Sequence, residues 1–164
     1  MVDVCCGLLQ RAGPQAHRMS DLRRNAFSIV LAALALLAGC SRSGESTEAM
    51  LARGKAVYEA QCAVCHGANL EGQPDWRQRR ADGRLPAPPH DETGHTWHHP
   101  DQVLFEITKY GVQRFAGAGY QSDMPAYEGR LSDDEIRAVL AWIKSRWPEP
   151  ARRRQAEIDA SSRR

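Results

Sequence analysis

The most specific chemistry in the chain lies in five consecutive residues, Cys62-Ala63-Val64-Cys65-His66. Two thiols two residues apart, with an imidazole directly after the second, form the C-x-x-C-H pattern of covalent haem attachment. The thiols can meet two vinyl groups on one edge of a porphyrin, and the adjacent side chain then reaches the iron. His66 is thus the expected proximal ligand. A thioredoxin-like redox pair would start a helix after a strand, and here a helix precedes the pair. A structural zinc site wants four ligands, and no second C-x-x-C pair is present, although His95, His98 and His99 could be invoked.

Three helices can be placed around this motif. The first is expected over Glu48–Ala60, capped by Ser46 or Thr47, with Leu51, Val57 and Tyr58 facing inward. Gly54 interrupts it, as glycine does where another element must approach closely. The second follows Pro100, carries Val103, Leu104, Ile107 and Thr108 or Tyr110 at helical spacing, and ends at Gly111. The third is the clearest. Ser132 and Glu135 form a capping box, Ile136, Val139, Leu140 and Ile143 share one face with Trp147, Trp142 lies beside them, and Pro148 stops the helix.

Between the first two helices runs a long segment, Gly67 to His99, containing Pro74, Pro86, Pro88 and Pro89 and no persistent strand-like alternation. A structureless stretch of this length inside a domain argues against itself unless something apolar fills it. Three short helices alone would also make a marginal core. Both difficulties disappear if the loops wrap one haem c.

With these residues in place, the chain resembles a class I cytochrome c over about Glu48 to Trp147. The fold class so implied is all-α: the cytochrome c fold, three main helices with long loops around a covalently bound haem. The family pattern puts a methionine ligand shortly before the last helix, which is matched here by Met124-Pro125-Ala126-Tyr127. Met124 is therefore the implied second axial ligand, with His90, His95, His98 and His99 as the histidine alternatives. The family also uses a proline carbonyl to accept the proximal imidazole N–H, a role open to Pro86 or Pro88. Gly54 and Tyr58 match first-helix residues that meet an aromatic on the last helix, here Trp142. Trp97, among His95, His98 and His99, is a candidate haem-pocket contact through its indole N–H. Arg79, Arg80 and Arg84 could also face a propionate, and the same histidine loop could instead hold a metal.

The N-terminus reads as targeting. Arg23 and Arg24 precede an apolar run, Phe27 to Ala38, that is shorter than the roughly 20 residues a membrane span requires. Leu37-Ala38-Gly39-Cys40 resembles a bacterial lipoprotein box, which makes Cys40 the lipidated (palmitate-bearing) first residue of the mature protein. The expected organisation is an over-long start and lipoprotein signal peptide at 1–39, with Met19 the better initiator. A tether follows at 40–47, the cytochrome c domain at 48–148 and a polar tail at 149–164, frayed or partly helical. Ser41 is not the aspartate associated with inner-membrane retention, so either membrane is open.

The formal net charge is +2 and no basic stripe crosses the chain, so nucleic acid is not an expected partner. The resemblance implies a one-electron carrier, not an enzyme, cycling Fe(III)/Fe(II) on the periplasmic side of a bacterial membrane. Its donors and acceptors would be redox proteins such as respiratory complexes, reductases or oxidases, and it would work as a monomer or a complex subunit. The alternatives are a haem-based sensor or a copper-linked assembly factor using a labile methionine or the His95–His99 loop, and a fixed haem subunit of a respiratory complex.

Overall fold

The computed structural model describes residues 45–117 and 119–164. The signal segment, Cys40 and most of the tether lie outside the described residues. Helix α1 spans Thr47–Gln61, and the hydroxyl of Ser46 caps it by accepting from Ala49 N at 3.1 Å. Val57 and Tyr58 are buried as expected, together with Gly54, whereas Leu51 is half-buried. A one-turn helix, α2, follows at Ala63–His66 and ends at Gly67.

The segment after Gly67 is a loop with a single 3-10 turn, Thr96–His98, before α3 (Asp101–Tyr110). Pro100 precedes α3 as its N-cap, and Gly111 closes it with a φ of 90°. Leu104 and Thr108 form its buried face. The short helix α4 occupies Gln113–Ala116. Helix α5 spans Asp133–Arg146 and starts with the complete capping box: Glu135 N donates to Ser132 Oγ, and Ser132 N donates to the Glu135 carboxylate.

The first and last helices of the domain cross where Gly54 meets α5. A Cβ at Gly54 would collide with the Ala138 carbonyl oxygen and lie 2.8 Å from Trp142 Cβ. Beside this crossing, Tyr58 packs on Trp142 with ring centroids 4.7 Å apart. The core continues through Val57, Leu70, Val139, Ile143 and Trp147, with Trp97 and Leu131 against its edge. Among the described residues there is no strand, and no helix is long and apolar enough to cross a membrane.

The C-terminal segment, expected to be frayed or partly helical, is helical and packed. Glu149–Ser162 is a helix, α6, with Pro148 as its N-cap rather than as the end of the helical part of the chain. Its inward face is Ala151, Gln155 and Asp159, spaced four residues apart. Ala151 joins the core beside Trp147. Gln155 Nε2 donates to Asp101 Oδ1 at 2.7 Å, and Asp159 Oδ1 accepts from Asp101 N at 2.9 Å. Lys144 of α5 donates to the same Asp101 carboxylate at 2.6 Å. This face is held by polar pairing at the start of α3, where the first N–H groups of a helix lack partners. Hydropathy is blind to such a face, which is why the segment reads as a tail.

Candidate haem site

Helix α1 delivers the motif. Cys62 N donates to Tyr58 O at 2.9 Å, and the turn then closes over Cys62 as its carbonyl accepts from Cys65 N at 3.1 Å and His66 N at 2.9 Å. Both cysteines are free thiols, with Cys62 half-buried and Cys65 exposed. Burial, with Cys65 adding to it, pushes the Cys62 thiol up to about 11, so it stays protonated. Between them Val64 is 84% exposed, and this turn is therefore open on its outer side.

His66 points inward and is only 7% exposed. Its Nδ1 lies 2.8 Å from the Pro88 carbonyl. An imidazole nitrogen facing a carbonyl acts as the donor, so Nδ1 carries the proton and Nε2 keeps its lone pair. The structure thus selects Pro88 over Pro86 as the acceptor. Burial lowers the His66 pKa against the opposing effect of the Pro88 bond, so the ring is neutral, the form that binds iron. Tyr58 Oη steadies the turn from below by donating to Gly67 O at 2.7 Å.

The Pro88 carbonyl is held in place by the wrapping loop. Gln73 N donates to Ala87 O at 2.9 Å, and Gln73 Oε1 accepts from Ala87 N at 3.1 Å. Gly72 and Gly94 press on Pro89 from two directions, and a Cβ on either would overlap Pro89 backbone atoms. His90 N then donates to Leu70 O at 2.7 Å, while His90 O accepts from Trp147 Nε1 at 2.7 Å.

Met124 is half-buried in the loop between α4 and α5. Its amide donates to Ser122 Oγ at 3.1 Å. Three residues on, Tyr127 is buried and anchored twice: its N donates to Thr108 O at 3.1 Å, and its hydroxyl to Gln61 O at 2.8 Å. The second bond ties the methionine loop to the residue just before Cys62.

The histidines divide differently. His90 is stacked on His66, with centroids 3.9 Å apart and planes 22° from parallel. His90 thus lies against the His66 ring face and not in the direction of its Nε2, where an iron would be bound. His95 stacks on Trp76, and His98 on Trp97. Among the described residues no group of three or more His, Cys, Asp or Glu is placed to hold a metal ion. Trp97, expected to reach the haem pocket through its indole N–H, gives that N–H to Glu92 O at 3.2 Å instead. Arg79 donates to Gly83 O at 2.6 Å, while Arg80 and Arg84 both pair with Asp123. The sequence carried no signal for the His90 stack or the Asp123 pairing, because neither follows from spacing along one element.

The donor set fits a c-type haem. Two free thiols flank the turn, a neutral imidazole has its Nδ1 engaged and receives no hydrogen bond at Nε2 among the described residues, and a thioether lies in a loop tethered to the same turn. Arg84 Nε is buried without a partner among the described residues, a donor that a propionate carboxylate would satisfy.

This fold and donor set define a class I, mono-haem c-type cytochrome. The cytochrome c family model matches residues 51–147, and the chain belongs to that family. It is 36% identical over 99 residues to cytochrome c6 of Tetradesmus obliquus, a match covering 57% of this chain and 86% of that relative. It is 33% identical over 102 residues to cytochrome c6 of Chlorolobion braunii, covering 58% and 90% respectively. No solved structure gives a significant match. The protein is a haem-based electron carrier with one covalent haem c and is not an enzyme.

Proposed function

We propose that this cytochrome is a membrane-tethered one-electron carrier, in which Cys62 and Cys65 would form the thioethers and His66 and Met124 would bind the iron. When bound, the haem supplies reversible Fe(III)/Fe(II) exchange, at a potential that imidazole–thioether ligation raises. The chain fixes the imidazole through Pro88, closes the pocket with the wrapping loop, and offers an imidazole and a thioether that would together leave no position on the iron for a substrate. The observation carrying this reading is the His66–Pro88 bond at 2.8 Å, which commits Nδ1 and leaves Nε2 for iron. Exchange with partners takes place at the open turn around Val64. Cys40, through its lipoprotein-like setting, anchors the carrier on the periplasmic side of a bacterial membrane, where tethering raises the effective concentration of membrane-bound donors and acceptors.

The test is the optical spectrum of the holoprotein made with a haem-maturation system. Wild type should show the methionine–Fe(III) charge-transfer band and no carbon monoxide binding when reduced. Met124→Ala should lose the band and bind carbon monoxide. A band that persists in Met124→Ala would remove Met124 from the iron. For the anchor, Cys40→Ala should release the protein from the membrane fraction, and retention there would refute lipidation.

A further inference from the structure

The methionine loop is anchored well on one side only. At Tyr127 it is bonded to both α3 and α1. Upstream, its hydrogen bonds are local: Tyr120 N donates to Gly117 O at 3.0 Å, and Met124 N to Ser122 Oγ at 3.1 Å. Among the described residues, the hydrogen bonds that join 117–126 to a distant part of the chain are the two reaching Asp123. Arg80 Nη2 donates to Asp123 Oδ2, and Arg84 Nη1 donates to Oδ1 at 2.5 Å. One carboxylate thus accepts on both oxygens from two arginines, an arrangement more restrictive than a single exposed pair. The arginines are themselves fixed to each other: Arg80 N donates to Arg84 O at 2.9 Å, and Gly83 N to Arg80 O at 2.9 Å, forming a closed turn. That turn belongs to the same wrapping loop that a few residues later supplies the Pro88 carbonyl to His66.

We propose that Asp123 is a positioning residue for the axial methionine: gripped by Arg80 and Arg84, it ties the Met124 segment to the wrapping loop and so limits how often the thioether leaves the iron. The proposal rests on Met124 being the ligand. Asp123 acts through its neighbour in sequence and touches neither iron nor porphyrin. Without the grip, the segment upstream of Tyr127 keeps the Arg79 guanidinium over the Tyr120 ring, 5.7 Å from its centroid, but no hydrogen bond to a distant part of the chain among the described residues, and the dissociated form is more populated. An external ligand then gains in apparent affinity in proportion to that population.

The experiment titrates ferric holoprotein with imidazole, which displaces the methionine as one Fe–S bond breaks and one Fe–N bond forms. Asp123→Asn should bind imidazole roughly tenfold more tightly than wild type, with a weakened charge-transfer band at rest. Asp123→Glu, which keeps the charge, should recover most of the difference. Wild type should move toward the Asn variant as salt is raised, because the pair is half-exposed and open to screening. Ser46→Ala serves as the comparison, destabilising the fold at the cap of α1, away from the loop. Equal imidazole affinity in wild type and Asp123→Asn overturns the proposal, and so does an equal gain in Ser46→Ala. If Asp123→Asn does not fold, Arg80→Gln tests the grip from its other side, with the same two outcomes. A wild-type protein lacking the band at low salt refutes Met124 ligation itself and the proposal with it, and is distinguished by failing before any variant is compared.

Discussion

The rings of His66 and His90 lie face to face, 3.9 Å between centroids, so the imidazole proposed as the iron ligand is backed by a second imidazole. His90 Nδ1 and Thr96 Oγ1 share a hydrogen bond of 2.8 Å. Burial above all, then the neighbouring His66 and His95, hold His90 well below its ordinary value of 6.5. The unfolded chain takes up a proton near 6.5 that the folded chain refuses. Stability is therefore full above that pH and falls as pH drops below it. His90→Leu should flatten the slope of unfolding free energy against pH between about 7 and 5. His95 and His99, lowered chiefly by burial, should supply the slope that remains. Denaturant unfolding of the holoprotein across that range measures it, and an unchanged slope would remove His90 from the acid limb.

Gly54→Ala should destabilise by about 1–3 kcal/mol, or prevent folding, because the new methyl overlaps the backbone of α5. Ala138 C lies 2.6 Å and Trp142 Cβ 2.8 Å from its position. Urea midpoints compare the two proteins, and a variant as stable as wild type would mean that α1 and α5 can separate without loss.

Trp147→Phe keeps most of the apolar volume but strands His90 O, whose partner is the indole N–H at 2.7 Å. A loss of about 1–3 kcal/mol is expected for the abandoned buried acceptor. Deleting 149–164 should cost more than this substitution, since it uncovers Trp147 and strips Asp101 N of the Asp159 carboxylate. Thermal melts of the three proteins rank them.

Ser132→Ala should lower stability by about 1 kcal/mol, the usual consequence of losing a helix cap. Two partners are lost together, Glu135 N at 3.2 Å and the Glu135 carboxylate at 2.8 Å. A loss within error of zero would show that solvent replaces the cap.

Much of the domain could be read from local rules. The Ser132–Glu135 box, the Gly111 stop and the Gly54 crossing each depend on residues close in sequence or on a side chain whose absence is informative. The attachment motif is legible for the same reason: its chemistry is confined to five residues. What could not be read depends on contacts across the chain. Choosing Pro88 over Pro86 needs the path of the loop, and the Asp123 grip joins residues about forty positions apart. The packing of helix α6 was not legible because its buried face is Ala, Gln and Asp, whose stabilisation comes from bonds with Asp101 and the His99 carbonyl. Trp97 is open to either a haem-pocket or a core role in sequence, and the path of the loop brings a carbonyl five residues back to its indole N–H.

If partners dock at the open turn, Val64, standing 84% exposed between the two cysteines, would give a visiting protein an apolar surface to dehydrate without a hydrogen bond to satisfy. Contacts of that kind are tolerant of orientation and brief in residence time. A carrier that must release each partner before meeting the next is limited by departure as much as by arrival, and a small greasy prominence favours departure.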